Sequence, residues 1–191
     1  MILAYAILTL IVLALLLRRD LSAIGRQAYR GGLWTIFLIF CLFLLQIGLV
    51  VYGSGQSRLQ NSLLILSQVA LFGLVLINYH LPGTKLFALG LALNIIVMVA
   101  NGGWMPVTPE THQYVHQNAT IELYSRSAGS KNVVLPRAET NLWVLSDVIR
   151  IPLPWRRTAV SVGDILLLVG IAQFIFQTTS KGNNGAPNLS W

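Results

Sequence analysis

Acidic residues and cysteine are scarce in this sequence, and both shortages restrict what the protein can do. Only six of the 191 residues are aspartate or glutamate, and Cys41 is the single cysteine. One cysteine excludes an intrachain disulfide framework and a cysteine-based metal site within one chain. Charged residues of both signs make up 10% of the chain, whereas a soluble domain has about 25%. Water is therefore not expected to be the main solvent of this chain.

Several chemical signatures are also missing from the sequence. It contains no serine nucleophile elbow, no glycine-rich phosphate loop and no zinc-knuckle spacing. The 13 basic residues lie between apolar blocks and form no stripe with interleaved aromatic residues, so nucleic acid is not an expected partner. We expect no cofactor and no bound metal, and we expect the protein not to be an enzyme.

Long apolar blocks dominate what is present. A block of roughly 17–25 apolar residues is long enough to cross a bilayer as a helix. The sequence therefore predicts an all-α membrane protein, a bundle of about five transmembrane helices surrounded by lipid, forming a single integral membrane domain over residues 1–191. The predicted spans are residues 2–17, 33–52, 62–77, 86–100 and 160–176, with an extramembrane segment at 101–159 between helices 4 and 5 and a polar tail at 177–191.

The distribution of arginine predicts the orientation. Residues 18–32 carry Arg18, Arg19, Arg26 and Arg30 against Asp20, and short basic loops stay cytoplasmic. Counting crossings from this loop places the N-terminus and residues 101–159 outside and the C-terminus inside, in a bacterial cytoplasmic membrane. The six basic residues of 101–159 argue weakly against this orientation, but loops near 60 residues follow the charge rule poorly.

Two pieces of local structure are predicted within residues 101–159. β-Favouring stretches at 120–124 and 131–135 flank Ser-Ala-Gly-Ser and predict a small hairpin. Residues 141–151 have a broad apolar side interrupted by Asp147 and Arg150, which predicts an amphipathic helix or half-helix. Trp143 and Trp155 flank this piece, so we expect it to lie at the membrane interface.

Asp164 is the acidic residue nearest to an apolar span, where an ionisable residue is a functional candidate by default. Ser161-Val162-Gly163-Asp164 also has capping-box spacing, in which Ser161 caps the helix and Asp164 accepts from a backbone N–H. We favour capping, because this position falls at interface depth.

His112 and His116 stand four residues apart, and Glu110 and Glu122 are nearby acidic residues. This spacing suits a metal on one helix face, yet two histidines in a polar loop are far more often ordinary surface residues. Gln68, Asn78 and Asn94 are uncharged polar residues of the spans. Such side chains usually bond across helices, and a solute path is the alternative.

Three segments carry a resemblance to a known family. Asn101-Gly102-Gly103-Trp104-Met105-Pro106, the stretch from Thr140 to Ile149, and Ser161-Val162-Gly163-Asp164 stand in this order along the chain. They resemble the Asn-Gly-Gly-x-Met-Pro, Thr-x-Leu-x-x-Leu-Gly-Asp-x-Ile and Ser-x-Gly-Asp segments of a family of bacterial multi-pass membrane proteins known only as a domain of unknown function. The resemblance covers nearly the whole chain, the arginine-rich loop included.

The resemblance implies a multi-helix membrane fold and supplies no activity, substrate or cofactor. It directs attention to Asn101, Gly102, Gly103, Met105, Pro106, Asp147, Ser161 and Asp164. We expect Asp147 to receive backbone N–H groups from the Asn101-Gly102-Gly103 turn in a cap over the bundle. Ser146 stands where the family usually has glycine, and Asn132 where many relatives have histidine. If that histidine has a chemical role in the family, this chain lacks it.

The leading functional hypothesis is a non-enzymatic accessory, scaffold or sensory subunit of a larger membrane protein complex. A small-solute transporter or channel is the second hypothesis, with Asn94, Gln68 and Asn78 as lining residues. A membrane enzyme that uses His112, His116, Asp147 or Glu122 is the third. A continuous polar cavity would support transport, and convergence of the four residues in a pocket would support catalysis.

Overall fold

The computed structural model describes residues 2–52, 57–117, 120–126, 131–154 and 156–180. Within these ranges the chain is mostly helical, and a helix occupies each of the five apolar blocks. The helices are α1 Ile2–Leu16, α2 Ser22–Gly25, α3 Gly32–Tyr52, α4 Arg58–Ile77, α5 Thr84–Ala100, α6 Pro109–Val115 and α7 Val162–Thr178.

Two of these helices, α3 and α4, are long and apolar enough to cross a membrane. The apolar part of α1, together with α5 and α7, is shorter. Helix α3 is little covered by the rest of the chain, with Thr35 as its one buried residue. An apolar helix exposed on nearly all sides is typical of a protein surrounded by lipid.

The long helices pack side by side in the order α3, α4, α5, α7 and α1. The described segments that connect them lie at the two opposite ends of this bundle. At one end, which we call the basic end, residues 17–31 contact the turn at 78–83. Arg30 donates its backbone N–H to Asn78 Oδ1 at 2.8 Å, and His80 Nε2 lies 2.9 Å from the carbonyl oxygen of Ala28. Residues 101–161, which we call the cap segment, cover the opposite end.

Glycine residues bring the backbones of α5 and α7 unusually close. Gly83 and Gly90 lie seven residues apart, as do Gly163 and Gly170, and the antiparallel helices pair Gly83 with Gly170 and Gly90 with Gly163. A Cβ added at Gly83 or Gly90 would lie 2.0 Å or 2.6 Å from the facing glycine carbonyl oxygen. Only a residue without a side chain fits there, as is common where helices pack without water between them.

Apolar side chains complete this packing on both sides of α5. One buried cluster joins α4, α5 and α7 through Leu71, Val75, Ala88, Leu91 and Leu167. A second cluster, nearer the cap segment, contains Leu64, Val97, Met98 and Met105. Because Met105 belongs to the cap segment, the core of the helices continues into the cap without a break.

The described residues of the cap segment contain four strands, so the all-α prediction is wrong for this part of the chain. They are β1 Met105–Val107, β2 Asn132–Val134, β3 Ile149–Leu153 and β4 Arg156–Val160. The buried strand β1 pairs in parallel with β2, whereas β3 pairs antiparallel with β4. Parallel strands need a long crossover connection, and α6 lies within it.

The helix predicted at 141–151 is not formed. Leu142 adopts a left-handed backbone with φ 54°, Trp143–Leu145 is a single 3₁₀ turn, and Ile149 begins β3. The β-branched residues Val148, Ile149 and Ile151 favour a strand, and the partner strand β4 follows almost at once. The apolar spacing of this stretch fits either a helix or a strand, and pairing with β4 selects the strand.

The predicted hairpin is confirmed only in part. Arg126 forms an antiparallel bridge to Val133, and Val134 exchanges backbone hydrogen bonds with Tyr124 and Ser125. Residues 120–124 form no strand, however, and the strand that pairs with β2 is β1. Residues 127–130 of the proposed turn, Trp155, and most of the predicted polar tail lie outside the described residues.

The glycine contact yields the first prediction. Gly90→Ala places a methyl group against Gly163 O and Leu167 N, and overpacking of this kind costs about 1–3 kcal/mol. We expect a lower melting temperature in detergent, measured by circular dichroism at 222 nm. Gly73→Ala on α4 is the matched control, because a Cβ there meets nothing within 4 Å and alanine favours a helix. Equal melting temperatures for the two variants would contradict the close contact.

Candidate functional site

Buried and half-buried polar residues from the helices and the cap segment meet where β4 leads into α7. We call this group the junction cluster, and its members share hydrogen bonds or charge contacts across these elements. They are Asn94, Lys131, Asn132, Asp147, Ser161 and Asp164.

The capping box predicted at the start of α7 is confirmed. Ser161 Oγ accepts from the backbone N–H of Asp164 at 3.0 Å, and Asp164 Oδ2 accepts from the backbone N–H of Ser161 at 3.4 Å. Both residues are buried. The carboxylate thus lies at the positive end of the helix dipole, which favours its charged form.

Asn94 of α5 forms hydrogen bonds with this capping box and so links the start of α7 to α5. Its amide Nδ2 donates to Asp164 Oδ1 at 2.9 Å, while its Oδ1 accepts from Ser161 Oγ at 3.0 Å. A Cβ at Gly163 would lie 2.1 Å from Asn94 Oδ1, so the amide reaches this position because residue 163 is glycine. Asn94 is only 3% exposed, and each of its two amide atoms has a partner here.

Lys131 supplies the positive charge of the junction cluster. Its Nζ lies 3.7 Å from Asp164 Oδ1, and its side chain is 27% exposed. Burial alone would lower the pKa of Lys131, but the carboxylates of Asp164 and Asp147 raise it above its usual value. The lysine therefore stays charged between two acidic residues that come from different elements.

Asp147 is the most buried acidic residue that the cap segment contributes. Its Oδ2 accepts from Asn132 Nδ2 at 2.6 Å, and its backbone N–H donates to Pro106 O at 3.3 Å. Burial raises its pKa to about 6, although the nearby charge of Lys131 opposes this shift. Oδ1 is buried without a hydrogen-bond partner, which fits a carboxyl group that protonates readily.

The predicted contact between Asp147 and the turn at 101–103 is absent. Asn101 instead accepts the backbone N–H of Asn141 at 3.0 Å and donates to the carbonyl oxygens of Val97 and Asn141. Gly102 and Gly103 have positive φ, and the carbonyl of Gly102 accepts from Asn61. The turn therefore fastens the cap segment to α4 and α5 through asparagines, away from the carboxylate.

Met105 and Pro106, the other predicted residues of this stretch, are fully buried in β1. Met105 packs in the cluster around Val97 and Met98, and Pro106 pairs in register with Val133. Their place in the structure is in the core of the cap segment.

His112 lies on α6, and His116 follows directly after the end of this helix. Their ring centroids are 4.9 Å apart, and burial lowers the pKa of both residues. Within the described ranges no group of three His, Cys, Asp or Glu residues is arranged to hold a metal ion. Glu122 is exposed, so the structure does not gather the four residues of the enzyme hypothesis into the junction cluster.

The three residues of the transport hypothesis have separate surroundings. Asn94 belongs to the junction cluster, Gln68 donates to Met98 Sδ at 3.2 Å, and Asn78 bonds to Arg30 and Leu74 at the basic end. Of the three, Asn78 alone lines the apolar cavity near the basic end.

Lys131 and the paired glycines are the residues that sequence reasoning missed. Lys131 lies in a stretch predicted only to favour a strand, although it is the one lysine within 101–159. A second signal is the repeated seven-residue glycine spacing, once from the turn at Gly83 into a following apolar block and once within the last apolar block, since this spacing marks one face of a helix.

Comparisons with known proteins identify relatives but no activity. A family model described as "Family of unknown function (DUF5317)" matches residues 32–176. A Thermotoga maritima protein named "Uncharacterized protein" is 37% identical over 112 residues, covering 58% of this chain. The chain spans 60% of the length of that curated relative. No solved structure matches the chain.

The raised pKa of Asp147 predicts a pH-dependent stability. Between about pH 4 and 6 the carboxyl group of Asp147 is protonated in the folded state and ionised in the unfolded state. The contribution of this group to the free energy of unfolding is therefore highest at low pH and falls as the pH rises to about 6, where the folded carboxyl group also ionises. Its upper limit is about 3 kcal/mol. We expect the melting temperature of the wild type, relative to Asp147→Asn, to fall between pH 5 and pH 8.

Glu122→Gln is the matched control for this experiment, because it removes the same charge from an exposed position. Because the pKa values of His112 and His116 are lowered, their titration raises the melting temperature as the pH rises. This effect is the same in the wild type and the variants, so it cancels in the difference between their melting temperatures. A pH-independent difference between wild type and Asp147→Asn would show that Asp147 has an ordinary pKa.

A third prediction concerns the charge of Lys131. Removing one partner of a buried ion pair costs about 3–5 kcal/mol, and we expect about 1–3 kcal/mol for Lys131→Met because this side chain is partly exposed. Adding Asp147→Asn should recover part of the loss, since one uncompensated carboxylate is then removed. Chemical unfolding in detergent measures both effects, with Lys131→Arg as the charge-retaining control. Additive losses would contradict a shared charge network.

Proposed function

Because the chain belongs to the family of unknown function DUF5317, whose name carries no activity, we propose a role from its geometry. The protein acts as a non-enzymatic accessory or scaffold subunit, a five-span protein of the bacterial cytoplasmic membrane with a rigid outer cap. The observation that supports this role most is the junction cluster, which fixes the cap segment to α5 and α7 through Asn94, Ser161, Asp164 and Lys131.

The polar residues of the cap segment support a structural role. Asn101 and Asn141 bond to each other and donate to the backbone of α5 at Val97 and Ala100. Asn132 bonds to Asp147 inside the cap segment. These side chains hold two elements together rather than converging on an open pocket. A cap that is fixed in this way presents a constant surface to a partner, which lowers the entropic cost of binding.

The surface around residues 137–144 suits a protein partner. Arg137 stacks on Trp143 with 3.6 Å between Cζ and the ring centroid, and Leu142 and Val144 are 47% and 57% exposed. We call these four residues the 137–144 patch. Arginine and tryptophan beside exposed apolar residues are the side chains that most often dominate binding at protein interfaces.

Five helices in alternating direction support the membrane arrangement. The connection at residues 17–31 and the turn at 78–83 both lie at the basic end. The cap segment lies at the opposite end of the helices. Short basic loops stay in the cytoplasm, so the basic end is the inner end of this proposal. The exposed apolar surface of α3 also supports this arrangement, because large exposed apolar patches mark interaction with a membrane or a protein partner.

Single-cysteine labelling tests the orientation. In a Cys41→Ala background we expect Gln113→Cys, exposed in the cap segment, to react with a membrane-impermeant maleimide in intact cells. Ala28→Cys, exposed at the basic end, should react only after permeabilisation. The reverse pattern would overturn the orientation, and recovery of the chain in the soluble fraction would overturn the membrane assignment.

Affinity purification in mild detergent tests the accessory role. We expect a membrane subunit to co-purify with the wild type, and Arg137→Ala and Trp143→Ala to reduce its recovery at least about tenfold, as loss of an interface hot spot does. Arg156→Ala is the control, because it removes the same charge from an exposed position in β4. Equal recovery with all three variants would exclude the 137–144 patch as the interface.

A further inference from the structure

An apolar cavity of about 260 Å³ opens at the basic end, between the ends of α3, α4, α5 and α7. Its walls include Ile39, Leu74, Phe87, Ile171 and Phe174. The volume is slightly below the range of about 300–1,000 Å³ that is usual for sites of whole drug-sized ligands. The cavity is therefore large enough for part of a flexible chain.

The polar side chains in the cavity wall are occupied by other contacts. Tyr29 and Thr35 donate to the carbonyl oxygens of Ile24 and Arg30, and Thr84 donates to that of Leu81. Asn78 accepts from the backbone of Arg30 and donates to Leu74. A polar solute would find few groups to bond, whereas a hydrocarbon chain fits a dry apolar wall.

A second recess of about 280 Å³ adjoins this cavity, and we call it the polar recess because its lining is more polar than that of the cavity and includes Tyr79, His80, Lys85 and Gln173. Leu81, Pro82 and Gly83 line both spaces, so the 78–83 turn separates a polar side from an apolar side. Lys85 and His80 belong to the polar recess.

The charge of the basic end is strongly positive. Arg30 is exposed beside the cavity, with its guanidinium near Ile77 O and over the ring of Tyr79. Of the charged residues within 17–31, four are arginines and one is Asp20, which pairs with Arg26. An apolar cavity beside a polar recess and an excess of cations matches the chemistry of an anionic lipid.

We propose that this site binds one anionic phospholipid, with an acyl chain in the apolar cavity and the phosphate near Arg30 and Lys85. The inference rests on the membrane arrangement proposed above, in which the basic end lies in the inner leaflet. A bound lipid of this kind fills the space between α3, α4, α5 and α7 and stabilises the inner ends of these helices together.

Native mass spectrometry of the full-length protein in detergent tests the charge half of the site. Two cations near a phosphate predict dioleoylphosphatidylglycerol binding about tenfold to thirtyfold tighter than dioleoylphosphatidylcholine. The double variant Arg30→Gln/Lys85→Gln should reduce this preference to within about threefold. Arg150→Gln, in the exposed part of β3, is the control and should leave it unchanged. Equal binding of the two lipids by the wild type overturns the proposal.

Filling the cavity tests the apolar half. Ile39→Trp and, as a second variant, Leu74→Phe should weaken phosphatidylglycerol binding about tenfold while circular dichroism confirms that the helices are retained. Wild-type affinity in a folded variant overturns the cavity as the site. Competition by inorganic phosphate at equal concentration would show a free-phosphate site and also overturn the proposal.

A photoactivatable acyl chain on phosphatidylglycerol gives a measurement that needs no variant. We expect crosslinks in α3, α4, α5 and α7 near the 78–83 turn, and crosslinks confined to the cap segment or to the outer face of α3 overturn the proposal. The cysteine-labelling result distinguishes failure of the lipid site from failure of the proposed membrane arrangement. Labelling that confirms the orientation without lipid preference removes the lipid site alone, whereas a soluble chain removes the proposed function as well.

Discussion

The close contact between α5 and α7 is the constraint on which the rest of the structure depends. Glycines at 83, 90, 163 and 170 let the two backbones meet without side chains between them. At that separation Asn94 reaches both Ser161 and Asp164, and Lys131 can approach the same carboxylate. A wider spacing would leave a buried carboxylate without its amide partner, which is costly in a region without water.

The junction cluster shows how few polar residues are needed to attach a cap to a helical bundle. One asparagine joins two helices, one capping box begins α7, and one lysine brings the start of β2 to the same place. Asp147 is held from the other side by Asn132 and by the backbone of Pro106. The buried charged groups are therefore engaged with one another inside the assembly.

Sequence reasoning located the helices well and the cap segment poorly. The five apolar blocks predicted α1, α3, α4, α5 and α7 to within a few residues, because long apolar runs have few alternatives to a helix. Residues 141–151 were predicted as a helix, but Leu142 turns left-handed and Ile149 pairs with Val160. The capping box was readable because its partners lie three residues apart, whereas the contacts of Lys131 and Asn94 with Asp164 join positions far apart along the chain. Local spacing carries no information about such pairs.

The parallel pairing of β1 with β2 has a consequence for the order in which the protein assembles. Strand β1 can pair with β2 only after residues 132–134 have been synthesised. The contacts of Asn94 and Lys131 with Asp164 can form only later, after residue 164 has been synthesised. During synthesis the amide and the ammonium group are therefore left without the carboxylate that they will share. Formation of α7 therefore completes the junction cluster, and a chain that ends before α7 would leave Asn94 and Lys131 without this shared partner.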